Sequence, residues 1–383
     1  MATLSIYLSP FAADYSGVSS VLFDLNTVTA MHDASGCTGN YTGYDEPRWY
    51  GSKSAIFCSG LREIDAVLGD DEKLIQKMIY AAKDLNPEVM ALVGSPVPMV
   101  IGSDLIGIAE ELQERTGIPC LGFDTTGTAY YDKGVAMATI GLLKKFTKKT
   151  AMIPGTVNIV GANPLDFATG ENLEDLKTLL REEGYEITAC LSMGYTMENL
   201  KKASSAQINL AISRAGYQIA EYMRKTYGIP YVCGLPVGEK GSLDYLQAIR
   251  VTADTKESVI MNTQPCEEAD ILIIGEQVQS NAIRMALEKE YGHNRIAVGC
   301  LFGKEAKLSL PQDKNLVSER QIIEEINKGC YQVIIADPFM EQLLRKDTKA
   351  KFYTNAQYAV SSKVGVDEMA LIIGKNFNEW FAA

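Results

Sequence analysis

The sequence predicts an α/β protein built from three Rossmann-like units in tandem, with mainly parallel sheets. Three observations carry this. Short apolar runs of strand type are each followed by a small-residue loop and then a segment of helical period. The pattern strand, Gly-containing loop, helix occurs at 157–183 and again at 271–291, and a helix exit of the form Gly-Ile-Pro occurs at 116–119 and 227–230. A chain of 383 residues is long enough for two or three domains at about 150 residues each. Such grammar fixes a fold class and carries no function by itself.

The expected divisions are 1–150, 151–252 and 253–383. In the first unit, Pro10–Gly17 is loop-like and Ser16 caps a helix over Val18–Leu25. Thr27–Met31 and Ala55–Cys58 read as strands, with a helix-like segment from Leu61 to Leu68. Asp70–Asn86 has Leu74, Ile75, Met78, Ile79, Ala82 and Leu85 at helical spacing. Val89–Val93 is then a buried strand, Gly94–Pro98 a loop, Asp104–Arg115 a helix and Pro119–Phe123 a strand. Lys144–Thr150 is a basic break. The second unit opens at Thr156, with a helix over Leu173–Glu183, a strand over Tyr185–Cys190 and a long helix over Ala206–Tyr227. The third opens at Ala269–Glu276, followed by a helix over Gln277–Tyr291 and strands near Arg295–Val298 and Gln332–Ala336.

Composition narrows the function classes. A net charge of −12 argues against nucleic acid or an anionic membrane as partner. No run approaches the ~18–20 apolar residues of a membrane span, and Met1–Ala13 lacks the basic and long apolar regions of a signal peptide, so a cytoplasmic location is expected. Eight scattered cysteines point to reduced thiols or metal ligands rather than a disulfide framework. With two histidines, a multi-His zinc site is excluded. The loops after Gly161 and Gly275 match neither Gly-X-Gly-X-X-Gly nor a P-loop; Glu276 and Gln277 read as helix caps, with a first-turn carboxylate facing the central crevice as the alternative.

The chemistry concentrates in residues 30–69. Cys37 and Cys58 each adjoin a Ser-Gly pair, and each follows a strand-type run. Loops at the carboxyl ends of parallel strands line the crevice where ligands bind, and a thiol near a helix N-terminus is readied to hold metal. Cys-X20-Cys spacing is equally that of two packed thiols. Between them, Tyr41–Tyr50 gathers aromatic, acidic and basic groups in a segment too polar for a core element. His32 and Arg48 are the candidate catalytic groups there. A structural lid held by Asp45 or Glu46 paired with Arg48 is the alternative.

His32-Asp-Ala-Ser-Gly-Cys37, Asp45-Glu-Pro-Arg-Trp-Tyr50, Phe57-Cys58-Ser-Gly-Leu61, Asp65–Leu74, Gly94–Leu105 and Gly117–Phe123 together resemble the N-terminal region of nitrogenase component 1 type proteins. That family includes molybdenum-iron protein subunits, cofactor-assembly scaffolds and dark-operative protochlorophyllide reductase subunits. The resemblance implies the three-unit architecture, and it implies that Cys37 and Cys58 ligate an iron-sulfur cluster at a subunit interface. The family's third cysteine falls at Ser95, so the pattern here is incomplete, and Cys120 is a candidate replacement. A 4Fe-4S cluster takes four protein ligands. Two cysteines from each of two chains, in a homodimer or with a like-folded subunit, would complete the set; a noncysteine ligand such as Asp or Ser is the alternative. The implied function is a catalytic-type subunit of a nitrogenase-like reductase, fed by an ATP-dependent iron protein and acting on a substrate or second metallocofactor in the interdomain cleft. The alternative is a nonenzymatic scaffold for metallocofactor assembly or a binding protein for a tetrapyrrole-like molecule. Tyr185–Tyr195 offers only Cys190 as a further cofactor ligand, which argues against a dinitrogen reductase.

Overall fold

Three parallel sheets organise the computed structural model, which describes residues 5–48, 52, 54–69 and 71–382. The first has the order β2-β1-β3-β4, with β1 Thr27–Met31, β2 Ala55–Cys58, β3 Val89–Val93 and β4 Cys120–Phe123. In the second, β6 Glu186–Cys190, β5 Ile153–Val160, β7 Ala206–Ala211, β8 Tyr231–Cys233 and β9 Val259–Ile260 lie side by side in that order. The third runs β12 Lys314–Asn315, β11 Ile296–Cys300, β10 Ile271–Gly275, β13 Val333–Ala336 and β14 Lys351–Thr354. All pairings are parallel. β1, β3 and β10 are buried along their whole length, as strands covered on both faces must be, and their sequences are accordingly apolar rather than alternating. β9 completes the second sheet although it lies beyond residue 252.

Local differences from the sequence expectations have identifiable causes. Ala206–Tyr227 is not one helix. It is β7 followed by a helix over Arg214–Tyr227 whose N-cap, Ser213, accepts the Gly216 N–H. The Ser213 hydroxyl breaks what reads in sequence as one apolar stretch. The first helix is Asp14–Leu22. Ser16 therefore lies inside it and does not cap it; its hydroxyl donates instead to Asp45 Oδ2 at 2.6 Å. The Gly94–Pro98 loop runs directly into a helix over Pro96–Ile101. The Tyr41–Tyr50 segment begins as a π-helical turn, Tyr41–Asp45, continuing the short helix Gly36–Asn40. Trp49 and Tyr50 lie outside the described residues, as does Asp70 at the start of the expected 70–86 helix.

Two contacts fix the first unit, one within it and one between it and the third. Helix Asp14–Leu22 crosses helix Tyr131–Phe146 at paired glycines: a Cβ on Gly17 would stand 2.0 Å from the Tyr131 carbonyl oxygen, and one on Gly134 1.9 Å from that of Asp14. Only glycine permits this approach. The N-terminal arm is held to the third unit where the Ile6, Tyr7 and Leu8 N–H groups converge on the Glu319 carboxylate at 2.8, 2.8 and 2.7 Å. Among the described residues no helix is long and apolar enough to cross a membrane.

Candidate metal centre

The carboxyl ends of β1, β2 and β3 meet in register, Met31 opposite both Cys58 and Val93. His32 and Asp33 therefore stand beside Cys58 and Ser59 on one side and Ser95 on the other. Asp33 organises the rim. Its Oδ2 accepts the Ser35 and Thr38 N–H groups at 3.0 and 3.1 Å, satisfying the open first turn of the helix that carries Cys37. Its carbonyl oxygen accepts the Cys58 thiol at 3.3 Å, and its N–H donates to Ser59 Oγ at 3.0 Å. Ser35, at the turn before Cys37, holds a φ of 141°, a backbone region non-glycine residues occupy only under constraint.

Both thiols are half-buried. Burial first, and then the Asp33 charge, push the Cys37 thiol up, while a hydrogen bond with the Tyr15 phenol works the other way. The thiolate therefore needs a cationic partner to form. Among the described residues no group of three His, Cys, Asp or Glu side chains is placed to hold a metal ion. The donor set fits half of a four-thiolate site: two half-buried soft ligands, Cys58 at the end of β2 and Cys37 on the short helix after β1.

The other candidates are not equivalent. Ser95 is fully buried, and its hydroxyl donates to the His32 carbonyl at 2.9 Å, so it braces the rim from beneath rather than facing outward. His32 is buried, with Nδ1 hydrogen-bonded to Ser59 Oγ at 2.9 Å, and burial depresses its pKa against the nearby Asp71, Asp33 and Asp65 charges. Cys120 opens β4, opposite Met90 near the start of β3, at the far end of the sheet from the rim. Its thiol is pushed up to about 12 by burial. Arg48 spends five hydrogen bonds inside the fold: two on Glu46 at 2.8 Å, one on Asp24 at 2.9 Å, and one each on the Ser20 and Ser192 carbonyls. Its guanidinium also lies over the Phe23 ring. It clamps the loop to the first and second units and leaves no donor for a ligand.

Two surfaces flank the rim. On the outside, helix Glu63–Leu68 buries none of its residues, leaving Ile64, Val67 and Leu68 exposed, Val67 by 76%. The helix over Pro96–Ile101 likewise exposes Val97, Met99, Ile101 and Val100, the last by 77%. Exposed apolar side chains thus lie on both helices that follow the rim strands β2 and β3. On the inside, Cys37 lines a cleft of about 530 Å³ between the first and third units, walled by Tyr15, Tyr44, Phe339 and Tyr358. Asp45 opens onto it, accepting Ser16 and Asn40 on Oδ2 at 2.6 and 2.9 Å. Burial pushes its carboxyl up to about 6.

In one group of residues only Glu276 was legible in sequence. Tyr131, Asp132, Asp166, Arg214 and Glu276 converge where the three units meet. Glu276 does cap its helix, accepting the Gln279 N–H at 2.9 Å, but its other oxygen takes the Arg214 N–H at 2.7 Å. For the other members the signal was the Gly161 and Gly275 loops, since both end strands at this junction. The remaining thiols are dispersed: Cys190, Cys233 and Cys300 are buried, Cys266 is half-buried and Cys330 is exposed.

Comparison with known proteins bears on the family and the fold. The family model for nitrogenase component 1 type oxidoreductase matches residues 15–310. One light-independent protochlorophyllide reductase subunit, from Crocosphaera subtropica, is 22% identical over 334 residues, 78% of this chain and 63% of that protein. The nitrogenase molybdenum-iron protein alpha chain of Clostridium pasteurianum is 22% identical over 78% of this chain and 60% of its own length. NifE of Methanosarcina barkeri, an iron-molybdenum cofactor biosynthesis protein, is 26% identical over 64% of this chain and 56% of its own. The chain thus spans less than two thirds of the length of these relatives. The solved structure "Nitrogenase Cp1 at pH 5" superposes with a TM-score of 0.60 at 19% identity, covering 85% of this chain and 72% of the other. The α/β architecture, the three parallel sheets and the extent of the match make this chain a member of the nitrogenase component 1 type oxidoreductase family.

Proposed function

We propose that the chain is a catalytic-type subunit of a cytoplasmic nitrogenase-like reductase that holds half the ligands of a 4Fe-4S cluster at a two-fold or pseudo-two-fold interface. The observation that carries this is that Cys58, at the end of β2, stands beside the turn after β1 that leads into the short helix bearing Cys37, with no group of three ligating side chains among the described residues, inside a skirt of exposed apolar side chains. A second chain, identical or like-folded, would cover that skirt and complete the ligand set. When bound, the cluster would supply one-electron redox chemistry, with electrons from an ATP-dependent iron protein. The chain's own groups do the rest. Cys37 and Cys58 give up their protons on loading, so loading competes with protonation and improves as pH rises. Asp33 fixes the spacing of the two loops, Tyr15 orients the Cys37 sulfur, and the aromatic cleft behind Cys37 takes the substrate.

Anaerobically prepared protein is expected to carry about four iron atoms per dimer, with Cys37→Ala and Cys58→Ala each reduced to background iron while remaining folded by circular dichroism. Full iron in either variant would sink the ligand assignment. A second reading is favoured by the aromatic walls of the cleft, which suit a flat ligand: a scaffold for metallocofactor assembly or a tetrapyrrole-binding protein. Substrate-dependent electron turnover with the matching iron protein separates the two, since a scaffold or carrier would bind without turning over.

A further inference from the structure

The junction of the three units sets three carboxyl groups against one guanidinium. Asp132 comes from the helix over Tyr131–Phe146, Asp166 from the segment after β5, Arg214 from the helix after β7 and Glu276 from the end of β10. Each is less than a tenth exposed. Arg214 pairs with Asp132 Oδ2 at 2.6 Å and donates to the Phe302 carbonyl. Tyr131 and Asn163 both hydrogen-bond the Asp166 carboxyl. Asp132 Oδ1 has no hydrogen-bond partner.

Were all three acids ionised, the cluster would hold an excess of two negative charges (three carboxylates less one guanidinium) away from water. Like charges so placed do not all ionise at neutral pH. Burial first, and then the Glu276 charge, push Asp166 well above the carboxyl range. Burial pushes Glu276 to about 7 and raises Asp132 against the pull of Arg214 and Lys133. The other titratable neighbours do not offset the excess: Tyr131 is raised by burial, as are the Cys233 and Cys300 thiols that face Glu276. At least one proton stays in the cluster, and it belongs to the group rather than to one residue.

We propose that this retained proton is a lock on the three-unit junction: while it is bound, the cluster's own side chains close the crevice at the ends of β5, β7 and β10, and its loss drives the carboxylates apart and opens that crevice. The crevice is where an open α/β sheet takes a ligand, so the device gates a ligand position. It is independent of the iron-sulfur reading. A carboxyl whose pKa is raised in the closed state favours closure fully below the ordinary carboxyl range, and that preference is lost as pH rises through about 7.

Hydrogen exchange read by mass spectrometry, corrected for intrinsic rates, tests this between about pH 6 and about pH 8. Wild-type peptides covering 161–168 and 275–281 are expected to lose about tenfold in protection across that range, the linkage of roughly one pK unit. The Asp166→Asn, Glu276→Gln double variant should show no such loss. Protection independent of pH in wild type, or an unchanged pH dependence in the double variant, overturns the proposal. Should the double variant fail to fold, infrared difference spectroscopy on wild type decides. A protonated-carboxyl band present at neutral pH and lost on alkaline titration supports the lock, and its absence at neutral pH refutes it.

Discussion

The rim bearing Cys37 and Cys58 and the junction bearing Arg214 and Glu276 rest on the same feature, the carboxyl ends of parallel strands, yet they are chemical opposites. At the rim β2 is an edge strand, the flanking helices leave Val67 and Val100 in solvent, and the two thiols lack further ligands among the described residues. At the junction the three units meet, through the ends of β5, β7 and β10 and the start of the Tyr131–Phe146 helix, and the space is filled by the chain's own acids and an arginine. An edge lets a site be finished by another molecule. A convergence of three layers makes the chain finish the site itself, and the cost of burying charge there is met by retaining a proton.

The comparison can be broken most sharply at Arg48, which borders the rim but behaves like a junction residue. Its partner Glu46 is fully buried, so Arg48→Ala should leave an unpaired buried carboxylate and cost about 3–5 kcal/mol in chemical denaturation. A loss below about 1 kcal/mol, the range of an exposed pair, would return Arg48 to the cleft as a functional cation. Next in size is the glycine crossing that brings the Tyr131–Phe146 helix, and with it Asp132, to the junction. Gly134→Ala drives a methyl into the Asp14 carbonyl, and overpacking of about 1–3 kcal/mol is expected. It should also weaken protection at the junction while leaving iron binding at the rim intact; equal loss at both would mean the two regions are not independent. The smallest effect on folding belongs to the apolar skirt. Val100→Asp should change monomer stability by less than about 0.5 kcal/mol, yet shift sedimentation of the iron-loaded protein from dimer toward monomer. An unchanged dimer would place the interface elsewhere.

Much of the fold was legible because its signals are local. Val89–Val93 and Gln277–Tyr291 are a strand and a helix over the residues that periodicity assigns, and each depends on backbone geometry within one segment. Ala206–Ala211 was misread because a buried parallel strand leading into a helix has no polar alternation to mark the change. Helix Glu239–Thr255 and the short strands β8, β9, β12 and β14 were missed altogether.

The same division holds for the sites. Sequence by itself determined the strand before each cysteine, the loop and helix after Cys58, and the family pattern. Tertiary structure alone decided that the register of β1 with β2 sets Met31 beside Cys58, that Cys120 lies at the opposite end of the sheet, and that Ser95 turns inward. It alone gathered Asp132, Asp166, Arg214 and Glu276. The physical reason is that backbone conformation follows from neighbours within a few residues, whereas burial, charge pairing and proton affinity depend on which distant segments pack together, and no local pattern encodes that choice.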